Sequence, residues 1–91
     1  MLQTVRLQVK GKVQGVFYRQ STKEKALELG ISGTVQNLPD GNVEIIATGT
    51  DEQLKQLTQW CNHGPSHAVV TEIISTPLPL QPFSNFIVLR H

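Results

Sequence analysis

The chain has 91 residues, with 8 basic and 7 acidic side chains and one cysteine. This length has room for one domain, residues 1–91, and no second one. The formal net charge of +1 argues against a nucleic-acid binder, which usually carries a clear basic excess.

Several features of the sequence favour a cytoplasmic protein. Cys61 has no partner cysteine in the chain, whereas small secreted domains tend to be rich in disulfides. The first six residues alternate in polarity and lack the apolar stretch of a signal peptide. No apolar run approaches the ~18 residues of a membrane span, so we expect no membrane partner.

The first half of the chain predicts a strand, a helix and a second strand. Residues 4–11 alternate strictly between apolar and polar, which is typical of a half-buried strand. A helical stripe follows, and Gly30 stands where a C′ glycine would end that helix. The stripe consists of Tyr18, Thr22, Ala26 and Leu29, and Leu27 points away from it. Residues 31–38 are rich in β-branched residues and predict the second strand.

The second half predicts a strand, a helix and two further strands. Residues 39–41 form a Pro-Asp-Gly turn that joins strand 31–38 to strand 43–48 in a hairpin. Thr50 and Gln53 have the spacing of a capping box at the start of the second helix, which ends before Gly64-Pro65. Further strands are predicted at 68–75 and 83–90. Residues 76–82 carry three prolines and are predicted to be loop.

This order of elements is β-α-β followed by β-α-β, with a hairpin in the middle and a short final strand. It predicts an α+β, ferredoxin-like (split βαβ) fold in which two helices cover one face of a mainly antiparallel sheet. Such folds serve as enzymes, metal carriers, RNA binders and regulatory modules, so the fold alone does not assign a function.

The residues give little support to metal or thiol chemistry. Cys61 lies on the apolar stripe of the second helix and is better interpreted as a small buried hydrophobe than as a nucleophile. His63 and His67 are four residues apart, but Gly64 and Pro65 between them prevent a shared helix face. We therefore expect no metal site and no cofactor.

The connection between the first strand and the first helix is the strongest candidate for a binding site. A loop that opens a helix presents several backbone N–H groups to an anion. Arg19 follows it and could donate two hydrogen bonds to phosphate oxygens. From spacing alone, an ordinary β–α connection in which Gly15 eases a tight turn is the commoner interpretation.

Asn37 is the second candidate residue. It follows Val35 by two positions, so both side chains lie on the same face of the second strand. Near the end of that strand, its amide either faces a site or bonds to the backbone of the following turn. Taken alone, the turn-forming role is the commoner one.

Together these segments resemble the acylphosphatase family. Residues 11–19 read GKVQGVFYR, and residues 33–43 read GTVQNLPDGNV, with Gly49 downstream. Both runs resemble the family's signatures, and the likeness covers nearly the whole chain. Tyr18 stands where the family usually has phenylalanine, and Thr34 stands where it usually has a large aromatic residue.

The resemblance implies an enzyme that hydrolyses the carboxyl–phosphate bond of acyl phosphates without a metal or cofactor. It implies that Arg19 neutralises the phosphoryl group and that Asn37 orients the attacking water. The implied phosphate-binding residues are Gln14, Gly15, Val16, Phe17, Tyr18 and Arg19. Nothing in the sequence demands more than a monomer.

A small domain without catalytic activity is the competing hypothesis. Such a module could bind an anion or regulate a partner, as the acylphosphatase-like domain of hydrogenase-maturation proteins illustrates. The end of the chain at His91 favours a free-standing enzyme. An RNA-binding role would want aromatic side chains on the open sheet face, where we expect Arg6, Gln8, Lys10 and Glu44, with Ile46 the only large apolar residue.

Overall fold

The computed structural model of the chain describes residues 1–90. These residues form a five-stranded sheet and two helices, in the order that the sequence predicts. In chain order the elements are β1 (Gln3–Lys12), α1 (Tyr18–Leu29), β2 (Ser32–Asn37), β3 (Val43–Gly49), α2 (Asp51–Cys61), β4 (Val69–Leu78) and β5 (Phe86–Leu89).

The order of strands across the sheet is β4-β1-β3-β2-β5. β3 lies between β1 and β2 and is antiparallel to both, so β1 and β2 run in the same direction. β4 pairs antiparallel with β1, and β5 pairs parallel with β2. The predicted ferredoxin-like arrangement, a mainly antiparallel sheet with two helices, is confirmed.

The helices cover one face of the sheet, and the core lies between these two layers. Directly paired residues of neighbouring strands share a face, and the pairs Leu7–Ile45 and Val9–Val43 are fully buried. Helix α1 adds Tyr18 to this core. The remaining buried apolar residues include Val35, Ala47, Ala26, Leu57, Cys61 and Phe86.

The other face of the sheet is open and largely polar. Arg6 forms an ion pair with Glu44 there, with 2.7 Å between Nε and Oε2. The expectation that Ile46 is the only large apolar residue on this face is wrong. The strand registers place Ile74 beside Gln8 and Ile87 beside Thr34, because both outer strands carry isoleucine at outward positions. Thr34 is half-buried on this face, so the absence of a large aromatic residue there leaves the helix-covered core intact.

Both helices have the end signals that the sequence predicts. Gly30 adopts a left-handed conformation (φ 78°) after α1, and its N–H bonds to the carbonyls of Ala26 and Leu27. At the start of α2, the Thr50 hydroxyl accepts from the Gln53 N–H, and the Gln53 side chain accepts from the Thr50 N–H. Within residues 1–90, no helix has the length and hydropathy that a membrane crossing requires.

The prediction of a loop over residues 76–82 is wrong at its start, since β4 continues to Leu78 and Pro77 pairs with Val5. β4 lies at the edge of the sheet, where one side of the strand makes no ladder bonds and a proline without an N–H is tolerated. β5 is shorter than the predicted strand 83–90 and begins only at Phe86.

The Tyr18 side chain joins the two helices inside the core. Its hydroxyl donates to the Cys61 carbonyl at 2.6 Å, and its ring contacts Trp60 at 5.7 Å between centroids. Burial raises the pKa of the Tyr18 hydroxyl above its usual range, so the donor stays protonated. The hydroxyl that distinguishes this chain from the usual phenylalanine thus satisfies a carbonyl at the end of α2.

We expect Tyr18→Phe to keep the fold and to lower the free energy of unfolding by about 1–2 kcal/mol, because it leaves the Cys61 carbonyl without its donor. Urea denaturation followed by far-UV circular dichroism measures this change. An unchanged midpoint and slope would show that the hydrogen bond contributes nothing to stability.

Candidate active site

The candidate site lies at one end of the sheet, where three strands and a helix meet. β1, β2 and β5 run in the same direction, so their carboxyl ends lie at the same edge. α1 begins there, after the loop that follows β1. A cleft of about 420 Å³ opens at this edge, lined by Val13, Gly15, Phe17, Tyr18, Arg19, Gln20, Asn37 and Arg90. Topology therefore brings Arg19 and Asn37, 18 positions apart in the sequence, onto the wall of one cleft.

The loop before α1 turns sharply through left-handed conformations. Gly15 has φ 74° and Phe17, the N-cap of α1, has φ 62°. No side chain of the described residues caps this helix end, and first-turn N–H groups have no partner within a helix. Together with the helix dipole, these N–H groups favour an anion at the N-terminus of α1.

Two guanidinium groups add positive charge to the cleft. Arg19 is half-buried, and its Nη1 donates to the Leu89 carbonyl at the end of β5, a long bond of 3.4 Å. Arg90 follows β5 and also lines the cleft. No carboxylate is among the described residues that line it, so the local potential is positive although the chain is nearly neutral. Sequence reasoning missed Arg90, because no motif surrounds it.

Asn37 is the last residue of β2, and the oxygen of its side-chain amide lacks a hydrogen-bond partner. Its Oδ1 is buried and has no hydrogen-bond partner among residues 1–90. The turn-forming role that sequence reasoning weighed for Asn37 thus finds no support here, because the turn uses Asp40, which accepts from the Asn42 N–H. A buried unpaired acceptor costs about 1–3 kcal/mol, and such groups mark functional sites often enough to call for an explanation.

Gln14 connects the loop before α1 to the hairpin that carries Asn37. Its side-chain amide donates to the carbonyls of Leu38 at 2.8 Å and of Asn42 at 2.9 Å. Leu38 directly follows Asn37, and its own N–H bonds to the Asn42 carbonyl. Both hydrogens of the Gln14 amide are therefore used to fix the loop against the end of β2, and Gln14 is not among the residues that line either lobe.

Two other predicted phosphate-binding residues face inward with their side chains. Val16 and Tyr18 are both buried, with Tyr18 only 1% exposed. In this loop only main-chain groups of these two residues are available to a ligand. Phe17 between them has the opposite placement, because its side chain is exposed and the residue lines the cleft.

A second lobe adjoins the cleft on the side of Asn37. It measures about 590 Å³ and is lined by Arg19, Gln36, Asn37, Leu38 and Pro39. Arg19 and Asn37 belong to both lobes, so a ligand bound between them has room to extend on either side.

The other candidate groups lie elsewhere. Cys61 is fully buried in the core, and burial raises the pKa of its thiol to about 12, which leaves no reactive thiolate at neutral pH. His63 and His67 are exposed and line neither lobe. Among residues 1–90, no group of three or more His, Cys, Asp or Glu side chains is arranged to hold a metal ion.

The fold and this cleft define a small α+β domain with a cleft at one end of the sheet that is lined by two arginines. Comparison with known proteins assigns its family. A family model described as acylphosphatase matches residues 5–88, and the chain belongs to the acylphosphatase family. The family that the two signature runs predict is thereby confirmed.

Individual relatives agree with this assignment. An acylphosphatase of Marinobacter nauticus is 57% identical over 81 residues, which is 88% of each chain. The structure of an acylphosphatase from Coxiella burnetii superimposes with a TM-score of 0.93 at 38% identity, covering 97% of this chain and 93% of that one. An acylphosphatase from Bacillus subtilis gives 0.94 at 32% identity, covering 99% and 100%.

We expect inorganic phosphate to stabilise the protein against heat, by about 1.4 kcal/mol at ten times its dissociation constant. Arg19→Gln should weaken this binding at least about tenfold, because it removes charge-assisted hydrogen bonds worth roughly 1.5–3 kcal/mol. The unfolding temperature measured against phosphate concentration gives both constants.

Lys55→Gln is the matched control, since it removes the same charge from an exposed position of α2 that lines neither lobe. Equal losses of phosphate affinity in the two variants would mean that only net charge matters and that Arg19 does not touch the anion.

Proposed function

We propose that this cleft hydrolyses acyl phosphates to a carboxylate and inorganic phosphate, with Arg19 and Asn37 as its catalytic residues. The observation that carries the proposal is the meeting of Arg19, Asn37 and an uncapped helix N-terminus on the wall of one positively charged cleft. Membership of the acylphosphatase family supports the reaction class.

In this proposal the phosphoryl group binds at the N-terminus of α1. Main-chain N–H groups of residues 15–19 donate to its non-bridging oxygens, and the Arg19 guanidinium balances their charge. Phosphoryl transfer requires mainly positioning and charge stabilisation. Donors that are already fixed in place cost no reorganisation when charge develops in the transition state.

Asn37 supplies the orientation of the nucleophile. A water that donates to its Oδ1 gives that buried acceptor a partner and is held beside the phosphorus. The water oxygen attacks phosphorus in line, the bond from phosphorus to the acyl oxygen breaks, and its electron pair leaves with the carboxylate. The proton of the water passes to phosphate or solvent.

The leaving group explains how so few residues suffice. Carboxylic acids have pKa values near about 4, so the departing carboxylate needs no strong general acid at neutral pH. The role of Gln14 in this scheme is to hold the loop at a fixed distance from Asn37, through its bonds to Leu38 and Asn42.

We further propose that residues 1–91 act as one domain and as a monomer in the cytoplasm. The family match over residues 5–88 supports a single unit. A lone cysteine, which cannot form a disulfide within the chain, suits a reducing compartment.

We expect the purified protein to hydrolyse benzoyl phosphate in the presence of EDTA, measured by release of inorganic phosphate. Arg19→Ala and Asn37→Ala should each lower kcat/KM by about 10²–10³, the cost of losing one transition-state donor or positioning group. Both variants should keep the parent's circular dichroism spectrum.

Matched controls for these variants are Lys55→Ala and Asn62→Ala, which alter the same residue classes on or beside α2. Activity that disappears with EDTA would indicate a metal enzyme, and the absence of hydrolysis with or without metal would indicate a binding module. Parent-like rates in either site variant would show that the assigned residue does not take part.

The rate of hydrolysis should be nearly independent of pH from mildly acidic to mildly alkaline conditions. A guanidinium stays protonated and an amide does not titrate in this range. Burial raises the pKa of the Cys61 thiol to about 12, so it stays protonated as well. A kcat/KM profile with a one-proton limb where imidazoles titrate would contradict the mechanism and implicate His63 or His67.

A further inference from the structure

Phe17 combines two features that are unusual for an aromatic residue. Its side chain is 82% exposed, although an aromatic ring gains most by burial. Its backbone has φ 62°, a left-handed conformation that is uncommon for a bulky residue. Strained and exposed residues of this kind cluster at binding sites, where the surrounding structure holds them in place.

The local packing explains why the ring faces outward and shows where it lies. Val16 and Tyr18 on either side are buried in the core, and the left-handed turn at Phe17 allows both to point inward. Phe17 lines the cleft with Arg19 and Asn37, and its ring is left exposed. Among the described residues that line the cleft, Phe17 is the one with a large, exposed apolar side chain.

The direction of attack decides which lobe receives the rest of the substrate. In an in-line displacement the leaving group lies on the side of phosphorus opposite to the attacking water. Asn37 lines both lobes, and the lobe of Gln36, Leu38 and Pro39 consists of chain neighbours of Asn37, the residue that holds the water in the proposed function. On this assignment the acyl group extends away from that lobe, toward the part of the cleft that Phe17 lines.

We propose that the ring of Phe17 is the binding surface for the acyl group, and that this site selects acyl phosphates with an aromatic or bulky apolar acyl group over small ones. The inference rests on the proposed function, because it takes the phosphoryl group to be held by Arg19 and the loop. Phe17 is thereby a specificity residue through its side chain, beside the part that its main chain plays in the loop.

The test compares kcat/KM for benzoyl phosphate with kcat/KM for acetyl phosphate. Phe17→Asn removes the ring and suits the left-handed backbone, which asparagine tolerates. We expect the benzoyl-to-acetyl ratio to fall about 3- to 10-fold, the range given by one aromatic contact. A change in the loop backbone acts on both substrates and cancels in the ratio.

Three further variants complete the design. Phe17→Tyr keeps the ring and should keep the parent ratio. Phe17→Gly, which has no steric cost at a positive φ, gives a second ring-free variant if the asparagine one folds poorly. Leu27→Asn removes another exposed apolar side chain, on the outer side of α1, and should leave the ratio unchanged.

The outcomes separate this inference from the proposed function. A ratio within about twofold of the parent in both ring-free variants would overturn the role of Phe17 while leaving hydrolysis assigned. A fall in the ratio with Pro39→Ser and none with Phe17→Asn would overturn it too, by placing the acyl group in the other lobe. A parent protein that hydrolyses neither substrate would overturn both proposals.

Discussion

The direction of two strands is the constraint on which the whole site depends. β3 lies between β1 and β2 and is antiparallel to each, so β1 and β2 must point the same way. Their carboxyl ends therefore share an edge, and the loop into α1 opens beside the end of β2. Without β3 in that place, Arg19 and Asn37 would have no structural reason to meet.

The side chain of Gln14 then fixes the position of the loop before α1 relative to the end of β2, which the strand directions alone set only approximately. Pairing with β3 fixes the end of β2 only as far as the β2–β3 hairpin allows. The loop before α1 is not held by strand pairing at all. The Gln14 amide spans the gap with two short hydrogen bonds to the hairpin. Phosphoryl transfer depends mainly on positioning, so we expect Gln14 to matter for activity although it does not line the cleft.

The sequence predicted well what depends on local patterns. Alternation in residues 4–11, the capping box at Thr50 and the C′ position of Gly30 all express short-range chemistry, and the structure agrees with them. It failed where tertiary context decides. Pro77 reads as a strand breaker, but its edge position removes the penalty, and the sequence has no sign of which strand lies at an edge.

The residues of the site divide in the same way, into those that a sequence motif reveals and those that only the tertiary structure reveals. Arg19 and Asn37 could be chosen from their motifs, and the structure places both on the wall of the cleft. Arg90 could not, because it reaches the cleft only through the parallel pairing of β5 with β2, 53 positions after Asn37. The motif also includes Gln14, but a motif does not show that the side-chain amide of this residue bonds to the hairpin.

Pro77 has a consequence beyond the accuracy of strand prediction. An exposed edge strand offers its free N–H and C=O groups to the strands of other molecules, and β4 is ten residues long. Near its end, Pro77 has no N–H with which an incoming strand could pair, and the opposite edge of the sheet is the four-residue β5. The residue that looks like an interruption within the chain thus removes one of the hydrogen-bond donors that edge-to-edge pairing with another molecule would use.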